Sequence, residues 1–292
     1  MSEAARTLQR LLGGAPVGLV GLGLIGGSIG LDLKALGVPT RAWVRREAMA
    51  RRARERGLVD QVCCEPGVLK SCGLVLLCLP MDQLVSPSPA LLEALPPQAV
   101  ISDVGSVKGA IAAAWRLLDH RFVPGHPLAG STAAGVEAGQ AGMFAGRPWV
   151  LTPYGNSDVA APTLVEALAL ALGAEPLRCE AAAHDRAVAL ISHLPVLVSV
   201  ALLHTASGEQ DPVIAALAHR LASSGFADTS RVGGGNPVLG VQMATHNRKA
   251  VLQGLAAYRS SLEQLEAAVR EADWPGLQRE LACSAAARPH FL

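Results

Sequence analysis

The sequence predicts an α/β fold: an amino-terminal doubly wound, Rossmann-type parallel sheet followed by an all-helical carboxy-terminal domain. Three observations carry that prediction. A glycine-rich turn closes a short apolar run at residues 17–20, strand-like runs alternate with helical patterns up to about residue 180, and no strand-like run follows residue 181. The expected division is therefore residues 1–180 and residues 181–292.

The first element organises the rest. Val17-Gly18-Leu19-Val20 meets Gly21-Leu22-Gly23-Leu24-Ile25-Gly26, and a small-residue helical pattern covers residues 24–36. Gly21 permits the tight strand-to-helix turn, Gly23 lets backbone approach a pyrophosphate, and Gly26 lets the helix sit close on the strand. The N–H groups of Leu24, Ile25 and Gly26, at the start of that helix, then face the phosphates. A glycine-rich turn alone is compatible with many loops; the strand before it and the helix after it select dinucleotide binding for residues 1–180.

A second strand, residues 40–44, leads to Arg45-Arg46. About 20 residues past such a turn, an acidic side chain would bind the ribose 2′-hydroxyl of NAD. Two arginines suit a 2′-phosphate, so charge complementarity favours NADP. The alternative is a solvated basic cluster running through Arg51, Arg52 and Arg54, with Glu47 the nearby acid. Further strands are read at residues 74–79, stopped by Pro80, and at 100–103, 122–125, 149–152 and 175–178, with a helix over 161–172 closing at Gly173. Leu79 and Pro80, where the third strand ends, join the expected cofactor contacts.

Four helical patterns follow, at residues 181–208, 212–223, 238–272 and 274–287, with a polar connector at 224–237 read as non-helical. These helices are too apolar for one small domain to bury, which predicts a homodimer formed through residues 181–292.

Bulk properties narrow the function classes. With 25 basic and 24 acidic residues, a net charge of +1 and only 3% aromatics, nothing suggests a nucleic-acid partner or an anionic membrane surface. Six cysteines without a C-x-x-C pair fit reduced thiols, and no metal site is expected. The first residues lack a signal-peptide core, and the longest apolar stretch, 187–203, contains His193 and Pro195 and is short for a membrane span. A soluble cytoplasmic protein is expected.

In an open α/β sheet the ligand crevice lies beyond the carboxyl ends of the strands. Asp82, Ser106 with Lys108, and His126 fall at such ends. A hydride-transferring enzyme acting on an alcohol needs a base for the hydroxyl proton, and histidine titrates near neutrality. His126 is followed by small residues, and Ser106 on the preceding crossover could hydrogen-bond the imidazole; Ser106 could equally cap the helix after it. His193 interrupts an apolar helix next to Pro195 and reads as a core histidine at a kink. Arg231, three residues after Asp228, reads as a carboxylate clamp or a surface arginine.

Five segments occur in order: Gly21–Gly26, Asp103-Val104-Gly105-Ser106-Val107-Lys108, Gly125-His126-Pro127-Leu128-Ala129-Gly130, Ile191-Ser192-His193-Leu194-Pro195 and Asp228-Thr229-Ser230-Arg231. Together they closely resemble the prephenate/arogenate dehydrogenases of tyrosine biosynthesis, and residues 223–240 are most similar to the cyanobacterial arogenate dehydrogenases. The resemblance implies an NADP-dependent oxidative decarboxylation of arogenate to tyrosine, with prephenate as the alternative substrate. It implies His126 as the base, Ser106 as its hydrogen-bond partner beside the cofactor, Arg231 as the carboxylate ligand, and His193, Ser131, Thr132 and Asp228 as substrate contacts. This chain has Val196 where many members carry a second histidine, Thr132 where some carry an acid, and Gly240 where some carry tryptophan. Outside enzymes, a non-catalytic NADP-binding dimeric sensor is the competing expectation.

Overall fold

The computed structural model describes residues 2–118, 121–130, 133–154 and 159–291. The chain runs α1 (Glu3–Leu12), β1 (Val17–Val20), α2 (Leu24–Ala35), β2 (Thr40–Trp43), α3 (Glu47–Glu55), β3 (Gln61–Cys63) and β4 (Leu74–Leu77). It continues with α4 (Met81–Val85), α5 (Pro89–Ala94), β5 (Val100–Asp103), α6 (Gly109–Trp115), β6 (Phe122–Val123), β7 (Gly125–Pro127), β8 (Pro148–Leu151), α7 (Ala160–Ala171) and β9 (Glu175–Arg178). Helices then follow: α8 (Ala181–Val188), α9 (Leu194–Ser207), α10 (Pro212–Leu221), α11 (Ser224–Ser230), α12 (Pro237–His246), α13 (Arg248–Arg270) and α14 (Trp274–Ala287).

Six strands pair in parallel in the order β3-β2-β1-β4-β5-β6. Every residue of β1, β4 and β5 is buried, which is why β1 and β4 read as continuous apolar runs rather than alternating ones, while β5 carries the buried polar pair Ser102 and Asp103 at its end. The order reverses between β1 and β4, and the crevice of a doubly wound sheet opens beyond the carboxyl ends at that point. The turns after β1, β4 and β5 all lie there.

The run expected as one strand at residues 122–125 splits in two. Phe122 and Val123 add the sixth strand, whereas Gly125–Pro127 starts a second sheet, β7-β8-β9, with β7 antiparallel to β8. His126 thus lies within a strand, opposite Val150, instead of following one. Pro124 between them has no N–H to continue a ladder.

Two compact units are present: Met1–Val188 with Gly234–Asn247, and Ala189–Gly233 with Arg248–Leu292. α8 and α12 belong to the sheet unit. In the sheet unit, Asn247 ends α12; it is 6% exposed and its Nδ2 donates to the Asp185 carbonyl at 2.7 Å. That break replaces the single helix expected over residues 238–272.

The helical pattern at 181–208 passes through a π turn, Ala189–His193, before α9. Pro195 lacks the N–H that a regular turn would donate back, and the wider turn absorbs the loss. The connector at 224–237, expected to be irregular, instead holds α11 and a 3₁₀ turn at Arg231–Gly234. Its hydroxyls bond within the helix, Thr229 Oγ1 to the Gly225 carbonyl at 2.8 Å and Ser230 Oγ to that of Phe226 at 2.6 Å. Gly233 lies so close to α9 that a Cβ there would come within 2.8 Å of Ser199, whose hydroxyl donates to the Thr229 carbonyl. Tertiary contact therefore overrides the low helix propensity of the segment.

The helical unit leaves apolar faces uncovered: Val213, Leu217, Leu221, Leu252, Leu262, Val269 and Leu281 are exposed. The continuous helical stretch Ala181–Ser207 is long and apolar enough to cross a membrane by length and composition, and only 22% of its most apolar window is buried.

Candidate active site

Beyond β1, the backbone turns at Gly21 with φ +93°, a conformation side-chain-bearing residues rarely adopt. A Cβ on Gly21 would also lie 2.5 Å from the Cys78 carbonyl, and one on Gly26 would lie 2.2 Å from the Gly21 carbonyl. Gly23 is different: a Cβ there meets nothing within 4 Å, so the space above it is open. Gly23 is the N-cap of α2 and no side chain caps that end. The first N–H groups of α2, on Leu24, Ile25 and Gly26, therefore face an open cradle of the kind a pyrophosphate fills. Leu79 borders the turn, 3.5 Å from the Gly21 Cβ position, and Pro80 follows as the N-cap of α4.

After β2, Arg45 and Arg46 are exposed and make no ion pair among the described residues. The nearby acid is occupied: Glu47 pairs with Arg54 at 2.9 Å and accepts the Cys64 thiol at 3.4 Å. Those bonds hold its carboxyl below the usual carboxylate range. Arg52 is likewise committed, to Glu55 and Glu137. Two unspent guanidinium groups thus remain at the position that meets the ribose in this fold, and the residues present fit a dinucleotide.

Beyond β5 and in β7 lies a buried polar cluster. Lys108 and Asp103 form an ion pair with both side chains at 0% exposure. Lys108 Nζ also donates to the Gly125 carbonyl, while Asp103 accepts from the Gly125 N–H at 3.0 Å and the Gly105 N–H at 2.8 Å. Burial pulls the Lys108 ammonium below the ordinary lysine range, against the attraction of Asp103. The pair grips both backbone groups of the residue preceding His126, which fixes where that imidazole sits.

His126 is half-buried, and its Nδ1 lies 2.8 Å from Nε2 of His184 on α8. Ser106 does not supply that contact. Its hydroxyl is buried and makes no hydrogen bond among the described residues, which leaves it available to a ligand. Neither does Ser106 cap α6: Lys108 is the N-cap, and Asp185 accepts the Lys108 and Gly109 N–H groups from across the unit. His184 and Asp185 were not anticipated from the sequence. The usable signal is a histidine and an aspartate set among alanines just past the last strand, on the face that also buries Val188.

In the helical unit, His193 is buried at the end of the π turn. Arg231 opens the 3₁₀ turn and is exposed, as is Asp228; the two are not paired with each other. Ser131 and Thr132 lie outside the described residues.

Residues 29–176 match the family model described as prephenate dehydrogenase, nucleotide-binding domain, and residues 180–283 match prephenate dehydrogenase, dimerization domain. The chain belongs to the prephenate dehydrogenase family. It is an oxidoreductase of the prephenate/arogenate type, with a Rossmann-type nucleotide-binding domain and a helical dimerisation domain. It is 30% identical over 266 residues to the cyclohexadienyl dehydrogenase of Zymomonas mobilis, covering 88% of this chain and 89% of that protein. Among solved structures, Synechocystis arogenate dehydrogenase superposes with a TM-score of 0.82 at 40% identity, covering 95% of this chain and all of that one. Prephenate dehydrogenase from Aquifex aeolicus, solved with hydroxyphenyl propionate and NAD⁺, gives 0.87 at 25% identity, covering 95% and 98%.

Proposed function

We propose that the protein catalyses oxidative decarboxylation of L-arogenate to L-tyrosine with NADP⁺ as hydride acceptor, and that it works as a cytoplasmic homodimer. A single observation carries this reading: a half-buried histidine, His126, is held by a hydrogen bond from its ring to His184 and by the bonds from Lys108 and Asp103 that fix the backbone of Gly125 before it. The 40% identity to the Synechocystis enzyme supports arogenate, and the two unpaired arginines after β2 support NADP.

A dinucleotide held through its pyrophosphate at the turn would supply the hydride acceptor. His126 takes the substrate hydroxyl proton as the carbon beneath it loses hydride. The electron pair of the breaking bond to the ring carboxylate then fills the ring, CO₂ departs, and the phenolate oxygen takes a proton back. Aromatisation provides the driving force, so the protein's task is placement, proton handling and carboxylate recognition. The buried Ser106 hydroxyl is suited to hydrogen-bonding the substrate oxygen or the cofactor amide. We assign Arg231 to a substrate carboxylate, supported by its exposure and its lack of an acidic partner among the described residues, and His193, Ser131, Thr132 and Asp228 to the rest of the substrate.

The uncovered apolar faces of the helical unit, in a segment matching a dimerization domain, support the homodimer. Six free thiols support a reducing compartment. Prephenate is the second reading, favoured by Thr132, which offers no carboxylate to an amine. Steady-state turnover of arogenate and prephenate with NADP⁺ and NAD⁺ tests both readings. Arogenate with NADP⁺ is expected to have the highest kcat/KM; a higher value for prephenate or for NAD⁺ would overturn the corresponding assignment.

A further inference from the structure

The groups behind His126 determine which of its nitrogens can act. His184 is 3% exposed, and while its Nε2 meets His126, its Nδ1 lies 2.9 Å from Asp185 Oδ1. Asp185 is anchored in turn: Oδ1 accepts the Lys108 N–H at 2.7 Å and Oδ2 the Gly109 N–H at 2.8 Å. Burial alone would raise its pKa, but the bonds from His184, Lys108 and Gly109 outweigh burial and hold the carboxyl below the usual range. Ionised, Asp185 can only accept. The hydrogen between the two residues is therefore on His184 Nδ1. A neutral imidazole carries one N–H, so His184 Nε2 is an acceptor and His126 Nδ1 must donate to it. The basic lone pair of His126 is left on Nε2.

We propose that His184 and Asp185 are positioning residues, a buried imidazole–carboxylate pair that holds His126 as the Nδ1–H tautomer and shares the positive charge formed when Nε2 takes the substrate proton. This rests on the assignment of His126 as the base. One proton moves from the substrate oxygen to Nε2 and later returns to the product oxygen; the Nδ1 hydrogen stays in its bond to His184. The other charged or titratable groups around the pair are Lys108 with Asp103, beside α6 and β5, and Cys179 after β9, whose thiol is pushed up by burial.

Two variants separate the roles. His184→Phe removes the acceptor and keeps a ring in the cavity; His184→Gln can place an amide oxygen near the lost Nε2. We expect kcat to fall roughly 10²-fold in His184→Phe and about tenfold in His184→Gln, with KM for NADP⁺ unchanged. The acid limb of the kcat/KM profile should move to lower pH in His184→Phe, since the imidazolium of His126 loses its support. Nitrogen-15 NMR of histidine-labelled wild-type protein should find His126 protonated on Nδ1 and bare on Nε2, with that preference lost in His184→Phe. His126 protonated on Nε2 in the wild type, or a His184→Phe enzyme with unchanged kcat and pH profile, would overturn the proposal. If His126→Asn itself retained full turnover, the base assignment would fail, while the tautomer measured by NMR would still judge the pair.

Discussion

Replacing Lys108 with methionine strands the Asp103 carboxylate in the interior. Both side chains are fully buried, and removing one partner of such a pair typically costs about 3–5 kcal/mol, because an uncompensated charge is left behind. Asp103 keeps the N–H groups of Gly105 and Gly125, at 2.8 and 3.0 Å, and methionine restores most of the lost volume, so the lower end applies, about 3 kcal/mol. For a unit of this size that corresponds to a fall in Tm of roughly 6–12 °C. Urea unfolding at fixed protein concentration reads the change. Fluorescence of the fully buried Trp115 and Trp149 reports on the sheet unit itself. Because Lys108 also holds the Gly125 carbonyl, kcat should fall together with stability. A variant within about 0.5 kcal/mol of wild type would refute the argument, for it would mean that the backbone N–H groups alone support the buried carboxylate.

Cofactor choice is tested by Arg45→Asp combined with Arg46→Ala. The affinity for NADP⁺ should drop roughly 30-fold or more while that for NAD⁺ changes by less than about threefold, and equal losses would remove the phosphate-binding assignment. For Arg231→Ala, the KM of the acceptor should rise about 10²-fold with the dissociation constant of NADP⁺ unmoved, as measured by fluorescence titration; a matching loss of NADP⁺ affinity would contradict the clamp.

What could be read from the chain alone follows how local each signal is. The glycine turn and the buried strands were legible because strand, turn and helix chemistry occupy consecutive residues, and a parallel strand covered on both faces leaves an unbroken apolar run. His126 was legible as a candidate base because it adjoins a strand in a hydride-transfer fold. Its true ring partner was not, since His184 stands 58 residues away and nothing local pairs them. The connector was misread because its glycines and hydroxyls argue against helix, and only the close approach of Gly233 to Ser199 reverses that preference. The split of residues 122–127 between two sheets was likewise invisible, because it depends on which neighbours the backbone finds on either side of Pro124.

The most direct test of the account is the rate of arogenate oxidation by His126→Asn, measured at saturating NADP⁺ beside its NADP⁺ affinity. The account predicts kcat reduced by about 10²–10⁴-fold with cofactor binding intact. Turnover within tenfold of wild type would contradict it.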